Sequence, residues 1–389
     1  LSNASGATKI ILILFSIGLV VLLLPELLPS YDINDSTLHQ MSAKQMADRM
    51  LRFENPFDFF VPTWACGYPL FGHYQMLPHF LLALFYLLTF KLISISVLYH
   101  VMVLILLVAF PWSMYTALRR AGLEDSEALF AAILALAPCS TIGFGQEFSS
   151  YTAYGSGLFT QLLGMVIFPW ALQSGYEFIS GTTSKWLRPI VLMALLILSH
   201  IFLAYLAFLL LGFWWLLGFT KKRGPSAYRL SLIVLLATAM VSFFVIPLVL
   251  NSDYHAFSRY EPLTKSNSYG ITWVLTKLFT GKLLDNGGLP VLTVLAGLGF
   301  FIGLKKTPSL SVGFLLSILF FAGRTTWGRF ADLLPMGKDL HFERFIIGVH
   351  FFAVVLAGIA LAWLFSRIFR IRPVALKGGL ILLVAIIVI

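Results

Sequence analysis

Apolar runs recur along this chain from Leu12 to its last residue, parted by short basic clusters and by three longer polar stretches. The spacing of the runs predicts helices that cross a membrane over roughly 10–30, 95–118, 127–143, 156–178, 188–199, 201–219, 229–250, 290–304, 309–322 and 345–365. The fifth and sixth are separated by Ser199-His200. The polar stretches are 31–93, 251–289 and 323–344. Within the first, 36–53 reads as a surface helix: Ser36 is placed to cap it, and Leu38, Met41, Met46, Met50 and Phe53 fall near one face. Residues 77–93 are apolar but end beside Lys91. The expected fold is all-α, a polytopic transmembrane helical bundle of about 10–11 spans.

Composition agrees. The chain is 59% hydrophobic and 11% charged, whereas a soluble domain needs about 25% charged residues to cover its surface. Cys66 and Cys139 provide neither a disulfide framework nor a metal-binding spacing. A formal charge of +10 resides largely in clusters between spans, where Lys and Arg set orientation, so it is no sign of nucleic-acid binding. The expectation is one transmembrane domain over 1–389. Its last apolar run, from Gly378, is shorter than the roughly 20 residues a crossing needs, so the domain is expected to continue past residue 389.

Placing the clusters at 119–120, 185–188, 221–223, 305–306 and 367–377 on the cytoplasmic side fixes the topology. Parity then makes 77–93 a partly embedded, non-crossing helix on the outer side. Of the 17 acids, only Glu124, Asp125, Glu127 and Glu177 fall inside. Acids contribute little to orientation, so their outward bias asks for another cause, such as an outward-facing acidic catalytic or metal site. No long internal repeat is visible, which weakens a transporter reading.

This layout resembles the GT-C superfamily of integral membrane glycosyltransferases. A cytoplasmic N-terminus and one span lead to a long outer loop with an early acid and surface helices. The second span ends in Leu118-Arg119-Arg120-Ala121-Gly122; the third is small-residue rich and ends at Pro138; the second outer loop carries Gly145-Gln146-Glu147. The stretch from Trp64 to Pro78 and Phe342-Glu343-Arg344-Phe345 are also similar to bacterial pyruvoyl-tetrahydropterin-synthase-related membrane proteins. The resemblance implies a polyprenyl-phosphate-linked sugar donor and a glycan, lipid or protein acceptor. It implies inverting transfer on the outer face of the bacterial cytoplasmic membrane, among membrane lipids and with no nucleic acid. It further implies that a first-loop acid, Asp35 or Asp32, serves as base or metal ligand, with Glu147 as the second-loop acid. A divalent cation, Mg or Mn, would rest on Asp35 and Glu147. The second loop has one acid where the strongest members have a pair.

A sugar hydroxyl needs a base to take its proton as the new bond forms, and the departing lipid phosphate needs positive charge to receive it. Asp35 is the first choice of base, although Asp-Ser-Thr before a helical run is also a capping sequence. His39, one turn on, would orient Asp35 or bind the acceptor. Arg344 is the choice for the donor phosphate, with His341 and Glu343 beside it; snorkelling to lipid headgroups is the alternative. Trp64, Tyr68 and His73 would stack on sugar rings, or anchor at the interface. His100 and His200 lie within or beside spans without a partner evident in the sequence. A lipid or polysaccharide transporter is the rival function, using the same charges as a substrate path.

Overall fold

The structure, a computed structural model, describes residues 6–28, 34–64, 67–152, 155–220, 223–254 and 260–368. Among these residues the fold is all-α, with two isolated β-bridges and no strand. In chain order the helices are α1 (Gly6–Leu23), α2 (Asp35–Leu51), α3 (Leu70–His73), α4 (Leu77–Leu88), α5 (Ile95–Arg120) and α6 (Asp125–Ile133). Next come α7 (Phe148–Tyr151), α8 (Phe159–Ser180), α9 (Leu187–Ser199), α10 (Ile201–Leu216), α11 (Arg223–Met240) and α12 (Ser242–Leu250). The last six are α13 (Leu263–Asn267), α14 (Ile271–Phe279), α15 (Val291–Lys306), α16 (Pro308–Ala322), α17 (Arg324–Trp327) and α18 (Ile346–Ile368).

Among the described residues three helical stretches are long and apolar enough to cross a membrane: Gly6–Leu27, Ile95–Arg120 and Phe342–Ile368. Two bent pairs raise the number to five if each is one span. That is fewer than the ten or eleven spans expected. Other apolar helices, such as α4, α9 and α10, have 12 to 16 residues, or about 18–24 Å at 1.5 Å per residue, against a hydrocarbon core of about 30 Å. The run read as one span over 229–250 is α11 and α12, turned by 87° at Val241. The run read over 127–143 stops being α-helical at Ile133, because a 3-10 turn at Leu134–Leu136 leads into Pro138.

The chain divides into two compact units. The first comprises Leu1–Phe15, Met114–Phe148 and Tyr260–Ile389. Its axis is α18, buried without interruption from Ile346 to Ala362 and packed by α6, α15 and α16. Small residues permit this: a Cβ on Gly299 would fall 1.8 Å from the Leu356 carbonyl oxygen, and one on Gly358 2.5 Å from the Ala131 nitrogen. The alanine-rich stretch of α6 therefore serves close helix contact. At one end of this unit, Lys306 bonds Glu124 (2.6 Å) and Glu127 (2.8 Å), and Asp125 accepts from Thr8 (2.5 Å) and Tyr115 (2.6 Å) and pairs with Arg119 (3.5 Å). Arg119 and Lys306, from two basic clusters expected on one side, pair with acids that adjoin in sequence, Asp125 for the first and Glu124 and Glu127 for the second.

The second unit comprises Ser16–Ser113 and Ser149–Arg259. α8 is its centre, packed by α9, α10, α11 and the surface helices α2 and α4. The expected break at Ser199-His200 is present, and His200 caps α10 by accepting from the Leu203 N–H (3.3 Å).

Candidate functional site

The polar stretch after α1 forms α2 as the sequence predicts, but Ser36 is not its cap. Asn34 occupies that position with φ 61°, and its amide donates to the Gly155 carbonyl (2.5 Å). Ser36 is fully buried in the first turn and accepts from the Tyr99 hydroxyl (3.3 Å). Gly157, at φ +65°, lies over that turn; a Cβ there would meet the Ser36 Oγ at 2.4 Å, so only glycine fits. Asp35, the first helical residue, remains exposed, where the helix N-terminus favours an ionised carboxylate. Asp32 lies outside the described residues.

His39 turns inward. It is 1% exposed, and its Nδ1 lies 2.9 Å from Nε2 of His79, itself fully buried on α4. The His79 Nδ1 is 3.2 Å from the Gln75 carbonyl, so it carries the proton and donates there, leaving Nε2 to accept from His39. Phe71, Tyr74 and Phe159 ring the pair. Burial pushes both imidazoles down, His39 well below the usual histidine value with His79 adding repulsion, and His79 to about 3. At neutral pH this is an uncharged strut between α2 and α4. Trp64, Tyr68 and His73 are brought into one ladder, with ring centroids 5.5 and 5.7 Å apart. The reciprocal backbone bonds of Val61 and Tyr68 (2.8 and 3.1 Å) hold it, and burial pushes the Tyr68 hydroxyl up.

The other candidates lie in the first unit. Phe342 and Phe345 are buried and anchor a 3-10 turn that carries Glu343 and Arg344. The Arg344 guanidinium stacks on Phe144, 3.9 Å from the ring centroid. Phe144 has φ 64°, a conformation rare for an aromatic residue, and follows Gly143 at φ 74°. Glu147 holds this bend: its carboxylate accepts from the Ser140 hydroxyl (2.5 Å) and the Gly145 N–H (2.8 Å). His350 holds it from beneath, fully buried on α18, accepting from the Gln146 N–H at Nδ1 (3.0 Å) and donating from Nε2 to the Leu283 carbonyl (2.8 Å). Glu147 is only 2% exposed. Its geometry is that of an acid shaping the Phe144 platform under Arg344.

α13 packs against the same 3-10 turn and adds two residues that the sequence reading missed. Lys265 pairs with Glu261 at 2.7 Å, and this bond, first among the causes, draws the Glu261 carboxyl down. His341 is drawn down by burial and then by the Arg344 charge, with Glu261 and Lys265 also in its field. Glu343 is 3% exposed, lies in the fields of Arg344, Lys265 and Glu261, and has one carboxylate oxygen, Oε1, with no hydrogen-bond partner. Lys265 escaped the sequence reading because nothing in its local pattern ties residue 265 to residue 344. His350 was hidden in an apolar run. His100, read without a partner, lies 3.7 Å from Glu26.

Of the two acids expected to hold a divalent cation, Asp35 is exposed at the start of α2 and both Glu147 oxygens accept hydrogen bonds. Among the described residues no group of three or more His, Cys, Asp or Glu gathers as a metal site.

Comparison with known proteins accords with this architecture. The chain matches the solved arabinofuranosyltransferase AftD from Mycobacteria with a TM-score of 0.61 at 14% identity, over 100% of this chain and 26% of that one. It matches the Archaeoglobus fulgidus oligosaccharyltransferase, in complex with Zn and sulfate, with a TM-score of 0.55 at 16% identity, over 98% of this chain and 51% of that one. It therefore spans about a quarter and about half of those proteins' lengths. No curated protein matches it. The fold is GT-C-like. Residues 71–389 match the model of the 6-pyruvoyl-tetrahydropterin synthase related domain, a membrane protein, and the chain belongs to that family.

Proposed function

We propose that this protein is a membrane glycosyltransferase that moves a sugar from a polyprenyl-phosphate carrier to an acceptor hydroxyl, with inversion, at the outer face of a bacterial cytoplasmic membrane. The observation that carries the reading is the gathering of Lys265, His341 and Arg344 around one 3-10 turn, with Arg344 fixed in place on Phe144. A planar guanidinium stacked on a ring has lost much of its rotational freedom beforehand and suits a phosphate. In this role Arg344 and Lys265 stabilise the negative charge that grows on the phosphate as the glycosidic bond breaks.

Asp35 is the proposed base. It is exposed at a helix start whose first turn is locked by Ser36, Asn34 and Gly157, and it takes the acceptor proton as the new bond forms. The leaving phosphate is a stable anion and needs no proton. Glu147 and His350 act through Phe144, as positioning residues for Arg344. The Trp64–Tyr68–His73 ladder offers ring faces to a sugar.

The test is release and transfer of label by the purified protein from a panel of radiolabelled polyprenyl-phosphate sugars, with membrane extract as acceptor source. The reading expects turnover with at least one donor and its loss in Arg344→Ala. An absence of turnover across the panel, with and without added divalent cation, would favour a transporter.

A further inference from the structure

Oε1 of Glu343 is a buried charged-group atom of the first unit with no hydrogen-bond partner. The residue is 3% exposed. A buried carboxylate oxygen left bare is costly, and folded proteins rarely retain one without a use. Its surroundings point to that use. Arg344 and Lys265 supply nearby positive charge, Glu261 shares their field, and Tyr269, on the segment between α13 and α14, feels the Glu343 charge. Lys265 is already bonded to Glu261, and Arg344 lies flat on Phe144. An anion held by Arg344 and Lys265 would still leave Oε1 without a donor, because neither an ionised carboxylate nor a fully ionised phosphate can donate. What completes the set is a ligand with both a negative group and a hydrogen-bond donor close to it.

We propose that Glu343 reads a hydroxyl of the donor's sugar ring, so that the cluster recognises a glycosyl phosphate and discriminates against the same lipid phosphate without its sugar. The proposal rests on the glycosyltransfer reading for the identity of the ligand. Arg344 and Lys265 take the phosphate oxygens; a sugar hydroxyl donates to Oε1. The arrangement also supplies a means of product release. Once the sugar has moved on, the lipid phosphate leaves Oε1 bare again, and the bound state loses the contact that distinguished substrate from product.

The test is binding, with turnover as a separate readout. The purified full chain in nanodiscs is titrated with a polyprenyl-phosphate hexose and with the matching polyprenyl phosphate, for wild type, Glu343→Gln and Arg344→Ala. Wild type is expected to prefer the sugar-bearing lipid by about ten- to a hundredfold, the value of one hydrogen bond to a charged group. Glu343→Gln, whose amide oxygen is a weaker, uncharged acceptor, is expected to lose most of this preference, and Arg344→Ala to lose affinity for both. The ligand-free Glu343→Gln protein is expected to unfold at a higher temperature than wild type, because a buried carboxylate with one bare oxygen has been made neutral. A purely structural acid would give the opposite sign. The proposal is overturned if Glu343→Gln keeps the wild-type preference, if wild type shows none, or if the variant is less stable or does not fold. Preference without turnover would leave this inference standing and remove the transferase reading; turnover with preference intact in Glu343→Gln would do the reverse.

Discussion

The polar stretch after α1 and the turn before α18 both carry histidines, acids and aromatic residues, yet they handle charge in opposite ways. Around α2 and α4 the buried polar groups satisfy one another. His39 donates to His79, His79 to Gln75, and Tyr99 to Ser36, and burial keeps both imidazoles neutral. Asp35 is left at the exposed end of that framework. Around Glu343 and Arg344 charged groups gather at one turn, Lys265 pairs with Glu261, and one carboxylate oxygen of Glu343 has no hydrogen-bond partner. A region that is internally satisfied is built to hold a shape; one that is charged and incomplete is built to receive a ligand. Under the proposed function, the satisfied framework supports Asp35 as base and the charged turn supports Arg344 as the phosphate contact.

The sharpest way to break this comparison is at Arg344. Arg344→Ala is expected to lower kcat/KM by about a hundredfold or more. Arg344→Lys should recover little, since a lysine neither stacks flat on Phe144 nor presents a fork. Near-normal activity in either variant would remove the recognition role from the first unit.

Next in size is His350→Leu. It leaves the Gln146 N–H and the Leu283 carbonyl without their partner and should cost about 2–6 kcal/mol of stability, from two buried groups at about 1–3 kcal/mol each. Thermal unfolding in detergent measures it. Because the same bend carries Phe144, KM for the donor should rise as well. A stability loss with unchanged KM would separate the bend from Arg344.

The histidine strut makes a prediction in pH. Both folded-state values lie below the unfolded value of about 6.5. As pH falls below about 6.5, the unfolded chain takes up protons that the folded chain refuses. The strut's contribution is therefore complete above about 6.5 and lost progressively below it, down to about 3 for His79. Unfolding temperature should fall on acidification over this window, and His79→Gln should flatten the dependence. A variant that retains the wild-type slope would mean the pair is charged or solvated. The smallest effect is expected at Trp64, which is 38% exposed. Trp64→Ala should raise KM a few-fold, in line with about 0.5–1.5 kcal/mol for an aromatic contact, and leave kcat in place.

Much of this was written locally in the chain. The helix over 95–118, the surface helix at 36–53 and the break at Ser199-His200 follow from apolar spacing and punctuation, and they stand within a few residues of α5, α2 and the α9–α10 junction. The Trp64–Tyr68–His73 ladder was legible because its members are close in sequence. Bends were not legible: apolar composition reads the same on either side of Val241, so the 87° turn has no signature in hydropathy. Long-range partners were equally silent. Lys265 reaches the 341–344 turn, and His350 reaches Gln146, through tertiary packing that no periodicity encodes. Glu147 was singled out as an acid of the second loop, and the structure gives it hydrogen bonds that shape Phe144 and, through it, Arg344.

The division of labour is tested most directly by comparing Asp35→Asn with Arg344→Ala in one assay of donor binding and sugar transfer. The account predicts that Asp35→Asn binds the polyprenyl-phosphate sugar as wild type does while transfer falls by about 10²- to 10⁴-fold, and that Arg344→Ala fails at binding. Transfer at the wild-type rate by Asp35→Asn, or loss of donor binding in Asp35→Asn with binding intact in Arg344→Ala, would contradict it.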